Sequence, residues 1–189
     1  MKKMNRREFL TLSGAAVVAL SLAGCGGGPS TPVAPTGKEA ELVEAINKVW
    51  KEKFDAGQVT YEKLTFNQDA VRAVRGYGRV FEKANETPHK LTPSDYAIVL
   101  EESDGFEAEM LKKYGENSLA GAAGVSEPSS ENVVTLECEY SCEDAAVRAF
   151  VEKLLSNSDS RKAEFISVYL PVVQGKTYMT AVVFWNKTA

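Results

Sequence analysis

The chain is poor in the side chains on which most enzymes and metal proteins depend. Among 189 residues there is a single histidine, His89, and only three cysteines, Cys25, Cys138 and Cys142. One imidazole cannot build a two-histidine metal site, and two thiolates supply only half of a tetrahedral shell. No Gly-x-Ser-x-Gly elbow and no His-Glu-x-x-His helix is present, which leaves serine-hydrolase and zinc-protease chemistry without their signatures. Gly121 and Gly124 form no phosphate loop, because no lysine follows at the required place. Beyond residue 25 no apolar run approaches the roughly twenty residues needed to span a bilayer. Positive charge is also scarce, with 22 Lys and Arg against 26 Asp and Glu.

The leader is the clearest feature present. Asn5, Arg6, Arg7, Glu8, Phe9 and Leu10 form a twin-arginine export signal, with Asn5 where Ser or Thr is usual and Thr11 where Lys is common. A mostly apolar run from Leu10 to Leu22 follows and closes on Ala23, Gly24 and Cys25. The run is about two-thirds of a membrane span and is preceded by Lys2, Lys3, Arg6 and Arg7, so it is a signal h-region rather than an anchor. Its small-small-Cys ending resembles a lipobox, which makes Cys25 the expected lipidation site and new N-terminus. The expected location is the outer face of the cytoplasmic membrane or the cell envelope, held by a lipid anchor.

Cleavage after residue 24 leaves 165 residues, enough for one domain with a real core. The lost leader carries four bases and one acid, so the formal charge moves from −4 to −7. Such an acidic product argues against nucleic acid or anionic headgroups as the main partner. From 25 to 37 the glycine- and proline-rich composition reads as a flexible tether, and the domain is expected over 38–189. Cys138 and Cys142 close a short Cys-Glu-Tyr-Ser-Cys segment; outside the cytoplasm they form either a local disulfide or a pair of free thiols.

Periodicity sets the elements. Leu42, Ile46, Val49, Trp50 and Phe54 predict an amphipathic helix over 39–55. Asn67 is placed to cap a second helix with Val71, Val74, Gly78 and Phe81 inward, where Gly76 and Gly78 cost about 1 kcal/mol each against Ala and suggest close packing. Thr92, Pro93 and Asp95 predict a capped third helix, which Gly105 interrupts before a stripe of Phe106, Met110, Leu111 and Tyr114. Ser141 and Asp144 repeat the capping pattern ahead of Ala146, Val147, Phe150, Val151, Leu154 and Leu155. The period then changes. Ile166, Val168, Leu170 and Val172 alternate, Gln174 and Gly175 turn, and Tyr178, Thr180, Val182 and Phe184 alternate again as a hairpin. The opposite face of the last strand, Met179, Ala181, Val183 and Trp185, is also apolar, so helices must cover both sides. A further strand is expected from 117–120 or 133–136. The fold class that follows is α/β, a three-layer alpha-beta-alpha sandwich with a C-terminal β-hairpin.

The order of these pieces from Ala40 to Trp185 resembles the bacterial branch of the CAP superfamily, the SCP or cysteine-rich secretory protein-like domains. The resemblance rests on Leu42 to Asn47, on Leu-Thr-Phe at 64–66, on His89, and on Gly115, Glu116 and Asn117 as a Gly-Glu-Asn motif. It also rests on Asn157 to Ile166, where the family has Asn-Ser-Pro-Gly-His-Arg-Ala-Asn-Leu-Leu, and on the closing Val183, Phe184 and Trp185. It implies a shallow cleft of two histidines and two glutamates. Here those positions fall on His89, Glu116, Arg161 in place of the second histidine, and Ser158 in place of the second glutamate. A guanidinium has no lone pair for a cation but can hold a carboxylate. Two readings follow: Arg161 pairs with Glu116 and replaces the charge of a metal, or Arg161 points to water and Glu116 holds a backbone amide. In the first, Arg161→His would create tighter zinc binding. His89 likewise reads either as a cleft residue or as a loop brace.

The leader, the binding roles that the resemblance implies and the missing second histidine together give the expectation of a non-catalytic, membrane-tethered binding module without cofactor or metal. Its partner would be a small apolar ligand, a cell-wall component or a protein, and not nucleic acid. The alternative is a metal- or glutamate-assisted hydrolase of peptide or envelope polymer with Glu116 and His89 as acid and base. A ligand-free structural lipoprotein is the third possibility.

Overall fold

A computed structural model describes residues 35–187; the export signal and Cys25 lie outside the described residues. The helices are α1 (Gly37–Asp55), α2 (Arg72–Ala84), α3 (Pro93–Ser103), α4 (Phe106–Tyr114) and α5 (Asp144–Leu154). The strands are β1 (Thr65–Phe66), β2 (His89–Lys90), β3 (Leu119–Ala123), β4 (Val133–Val134), β5 (Phe165–Tyr169), β6 (Val172–Val173), β7 (Lys176–Thr177) and β8 (Thr180–Phe184). No helix among the described residues is long and apolar enough to cross a membrane.

Four strands make the central sheet in the order β1-β5-β8-β3. β8 is buried at all five positions and is antiparallel to both β5 and β3, while β1 joins the far edge parallel to β5. Because successive side chains point to opposite faces, Ala181 and Val183 face one helical layer and Val182 and Phe184 the other. On the first face lie α1 and α5 through Leu42, Ile46, Trp50, Phe150 and Leu154. On the second lie α2 and α4 through Val74, Phe106, Met110 and Tyr114, with the rings of Tyr114, Phe165 and Phe184 packed at 5.1 to 5.7 Å. Each fully buried side chain of this size contributes about 1.5–3 kcal/mol over leaving it exposed. The architecture is the expected three-layer α/β/α sandwich.

A register shift between Leu119 and Gly121 inserts Ala120 as an extra residue in β3. That insertion lets Ala120 and Ala123 both face α1 and α5 although they are three positions apart. Gly121 lies at this kink, where an added Cβ would come within 2.5 Å of the Leu154 carbonyl oxygen and closer still to Ser160 Oγ. A third cluster, with Tyr77, Phe81, Val99, Val134 and Leu136, extends the core past the sheet and holds α3 and the β2–β4 ladder.

Several expectations are corrected. The third-helix capping box forms, but the one expected at Ser141 and Asp144 does not: Glu143 takes the N-cap position, and Ser141 Oγ accepts from the Glu143 amide instead. Asn67 caps the short 3-10 turn Gln68–Ala70 rather than α2 itself. Phe54 and Leu111 stay in water at 36% and 55% exposure, since each lies at the margin of its stripe. The Leu-Thr-Phe stretch is a sheet strand, and Val133–Val134 pairs with His89–Lys90 rather than entering the main sheet. The hairpin turns at Gln174 and Gly175, both with positive φ, as expected.

The sandwich has two poles. At one, Lys38 at the start of α1 donates to Thr177 just ahead of β8. At the other, Trp185 follows β8 and Tyr61 follows α1, with Trp50 Nε1 donating to the Tyr61 carbonyl at 3.1 Å. On α1 the two poles are marked by Lys38 and Trp50, twelve residues apart, or about 18 Å at 1.5 Å per residue.

Candidate functional site

His89 lies at the first pole. Its strand pairs with Val134, next to a bridge between Val125 and Leu136 that follows the C-terminal end of β3. The ring is nine-tenths buried and both nitrogens are engaged. Nδ1 is 2.6 Å from Glu86 Oε1 and Nε2 is 2.9 Å from Asp95 Oδ2. A neutral imidazole has only one N–H, so one nitrogen would then face a carboxylate lone pair with its own. The doubly protonated ring avoids that conflict. Burial works against its charge, yet Asp95 and Glu86 together outweigh burial and raise the His89 pKa above its ordinary value. Burial also opposes the charge on Asp95, but donations from the Thr92 hydroxyl and amide and from His89 prevail and hold its carboxyl below the usual range. His89 therefore has no lone pair left for a metal and no vacant nitrogen for base catalysis; it ties the loop after α2 to the N-cap of α3.

Glu116, Ser158 and Arg161 lie at the opposite pole. Glu116 is exposed just beyond α4, after Gly115 at φ +86°. Ser158 and Arg161 are exposed on the 3-10 turn Ser158–Lys162. That turn is fixed by Asn157, which accepts from the Asp159 amide at 3.0 Å, and by buried Ser160, whose Oγ donates to the Ala120 carbonyl at 2.8 Å. The structure thus brings three of the four expected cleft residues to one end of the sheet and leaves His89 a strand length away. A His89–Glu116 acid-base pair is not assembled. Nor does any ion pair among the described residues join Arg161 to Glu116, so the expected charge replacement is not made. The Arg161 backbone carbonyl instead accepts from the Thr60 amide at 2.8 Å.

The most distinctive group at this pole was not singled out by sequence. The Trp185 ring has Lys162 Nζ at 5.0 Å and Lys187 Nζ at 4.7 Å from its centroid. Main-chain bonds from Trp185 to Ser118 and from Lys187 to Tyr114 fix the strand end beneath it. The indole Nε1 is shielded from solvent and has no hydrogen-bond partner among the described residues. Lys187 follows Trp185 closely in sequence, but Lys162 reaches the ring only through the fold.

Cys138 and Cys142 are free thiols in the structure, so the disulfide alternative is not the one adopted. The backbone of Cys138 and Tyr140 is held extended against Met179 and Thr177, which favours an open segment over a tight loop. Exposed Cys142 donates to Tyr140 Oη at 3.4 Å, and burial pushes the half-buried Cys138 thiol up in pKa. No group of three or more His, Cys, Asp or Glu side chains among the described residues is arranged to hold a metal ion. No family profile, curated protein or solved structure matches this chain.

Proposed function

We propose that this protein is an envelope lipoprotein, exported through the twin-arginine route, lipidated on Cys25 and tethered through residues 25–37, whose α/β/α domain works by binding rather than by catalysis. The observation that carries the non-catalytic part is the state of His89: both ring nitrogens hold carboxylates, and the chain has no other histidine. The tether composition and the signal residues quoted above support the export and anchoring part. A distant relation to the CAP superfamily belongs to the same proposal, supported by the helix-covered sheet and its closing hairpin; a shared catalytic or metal cleft does not belong to it.

The test has two arms. In a bacterial host, Arg6→Lys with Arg7→Lys should retain the chain in the cytoplasm, and Cys25→Ala should remove the lipid mass and release the protein from membranes. The purified protein should show no zinc-stimulated hydrolysis of peptide or envelope polymer. Turnover abolished by Glu116→Gln would overturn the binding-module reading.

A further inference from the structure

We propose that the pole carrying Trp185 is a docking face for a carboxylate-bearing glycan of the cell envelope. This rests on the lipoprotein reading above and names the partner of its binding module. Three cations gather at that pole: Lys162 and Lys187 around the indole, and Arg161 one residue before Lys162. Lys162 pairs with Asp159 at 2.8 Å and Lys187 also acts on that carboxylate, whereas Arg161 enters no ion pair among the described residues. Two aromatic rings accompany them. Trp185 is half-buried, and Tyr61 is 43% exposed on the segment whose neighbouring Thr60 amide donates to the Arg161 carbonyl. Ammonium and guanidinium groups meet carboxylates, while aromatic faces meet the C–H faces of sugar rings, so this mixture matches an acidic sugar polymer.

Placement selects a glycan over the membrane itself. The tether enters at Gly37, and the pole carrying Trp185 and Lys162 lies toward the other end of α1, about 18 Å along the helix from Lys38 at Trp50. A domain anchored through Cys25 therefore holds Trp185 outward more readily than it bends that pole back to its own bilayer. The pole is of mixed charge, with Glu116, Asp159 and Glu164 beside the cations, so a carboxylate polymer is received at the positions of Arg161, Lys162 and Lys187 and not over the whole face.

The full chain, purified in detergent, would be titrated with polygalacturonate, with dextran as the neutral glycan and with phosphatidylglycerol vesicles as the anionic lipid surface. Trp50 is fully buried, so the fluorescence change reports on Trp185. Polygalacturonate should bind and weaken with salt, and dextran should not. Lys162→Gln with Lys187→Gln should weaken binding about tenfold, as should Trp185→Leu measured by calorimetry because that variant lacks the fluorescent reporter, while Lys90→Gln at the opposite pole should not. Thermal melts would confirm that each variant is folded. The proposal is overturned by absent polygalacturonate binding, by equal binding of dextran, by indifference to the pole variants, or by vesicles binding more tightly through the same residues. None of these results bears on export, lipidation or the absence of turnover, which are read separately.

Discussion

Replacing Asp95 with asparagine isolates the charge in the His89 clasp. The carboxylate is 9% exposed and takes three donations, from the Thr92 amide at 2.7 Å, the Thr92 hydroxyl at 2.7 Å and His89 Nε2 at 2.9 Å. Asparagine keeps the size and one acceptor oxygen but turns charge-assisted bonds into neutral ones. Bonds to charged groups contribute about 1.5–3 kcal/mol and neutral ones about 1, so with Glu86 still beside the ring the loss is about 2 kcal/mol. For a chain of this size that lowers Tm by about 4–8 °C. The loss depends on pH in a defined way. Folding raises the His89 pKa above 6.5, so its contribution is complete below that value and fades as pH rises through the folded pKa. Folding lowers the Asp95 pKa below 3.8, so its contribution is complete above that value and fades as pH falls through the folded pKa. The gap between wild type and Asp95→Asn is therefore widest between pH 3.8 and 6.5 and narrows on either side. Urea unfolding followed by tryptophan fluorescence at about pH 5.5 and about pH 9 measures it. A gap under about 0.5 kcal/mol at the lower pH, or one equally large at both, would refute the ionic clasp.

Three further outcomes are expected. Gly121→Ala should cost about 3 kcal/mol in a denaturant melt, because the new methyl meets the Leu154 carbonyl and the Ser160 hydroxyl, and the carbonyl cannot swing aside; a loss below about 1 kcal/mol would show that β3 relaxes at its kink. Arg161→His should leave zinc affinity unchanged in calorimetry, since the new imidazole and His89 occupy opposite poles; a tenfold gain would put the two poles in contact. Cys142 should be alkylated well before Cys138 in mass-spectrometric time courses, because it is exposed while burial shields Cys138 and raises its thiol pKa; equal rates would contradict that difference.

Much of the fold was legible in the chain because its signals are local. Thr92, Pro93 and Asp95 specify their cap within four residues, and the alternation around Gln174 and Gly175 specifies its hairpin. The doubly apolar last strand announced burial on both faces, which requires helices above and below it. The two-residue strand at Thr65 was not legible, because its strand character comes from pairing with β5, a hundred positions later. Leu111 and Phe54 satisfied the helical period yet stay exposed, because periodicity gives a direction and only neighbours decide whether that direction is filled.

The same division holds for the site. By itself the sequence determined that one imidazole is available, that the leader reads as an export and lipidation signal, and that no nucleotide or zinc motif is present, since these are matters of residue identity and short spacing. Only the tertiary structure decided that His89 is consumed by Glu86 and Asp95, that Glu116 and Arg161 lie at the other end of β3, and that Lys162 and Lys187 meet over Trp185. A one-residue insertion in a strand and the sense in which each strand runs fix which pole a loop occupies, and neither is written in the residues that the loop contains.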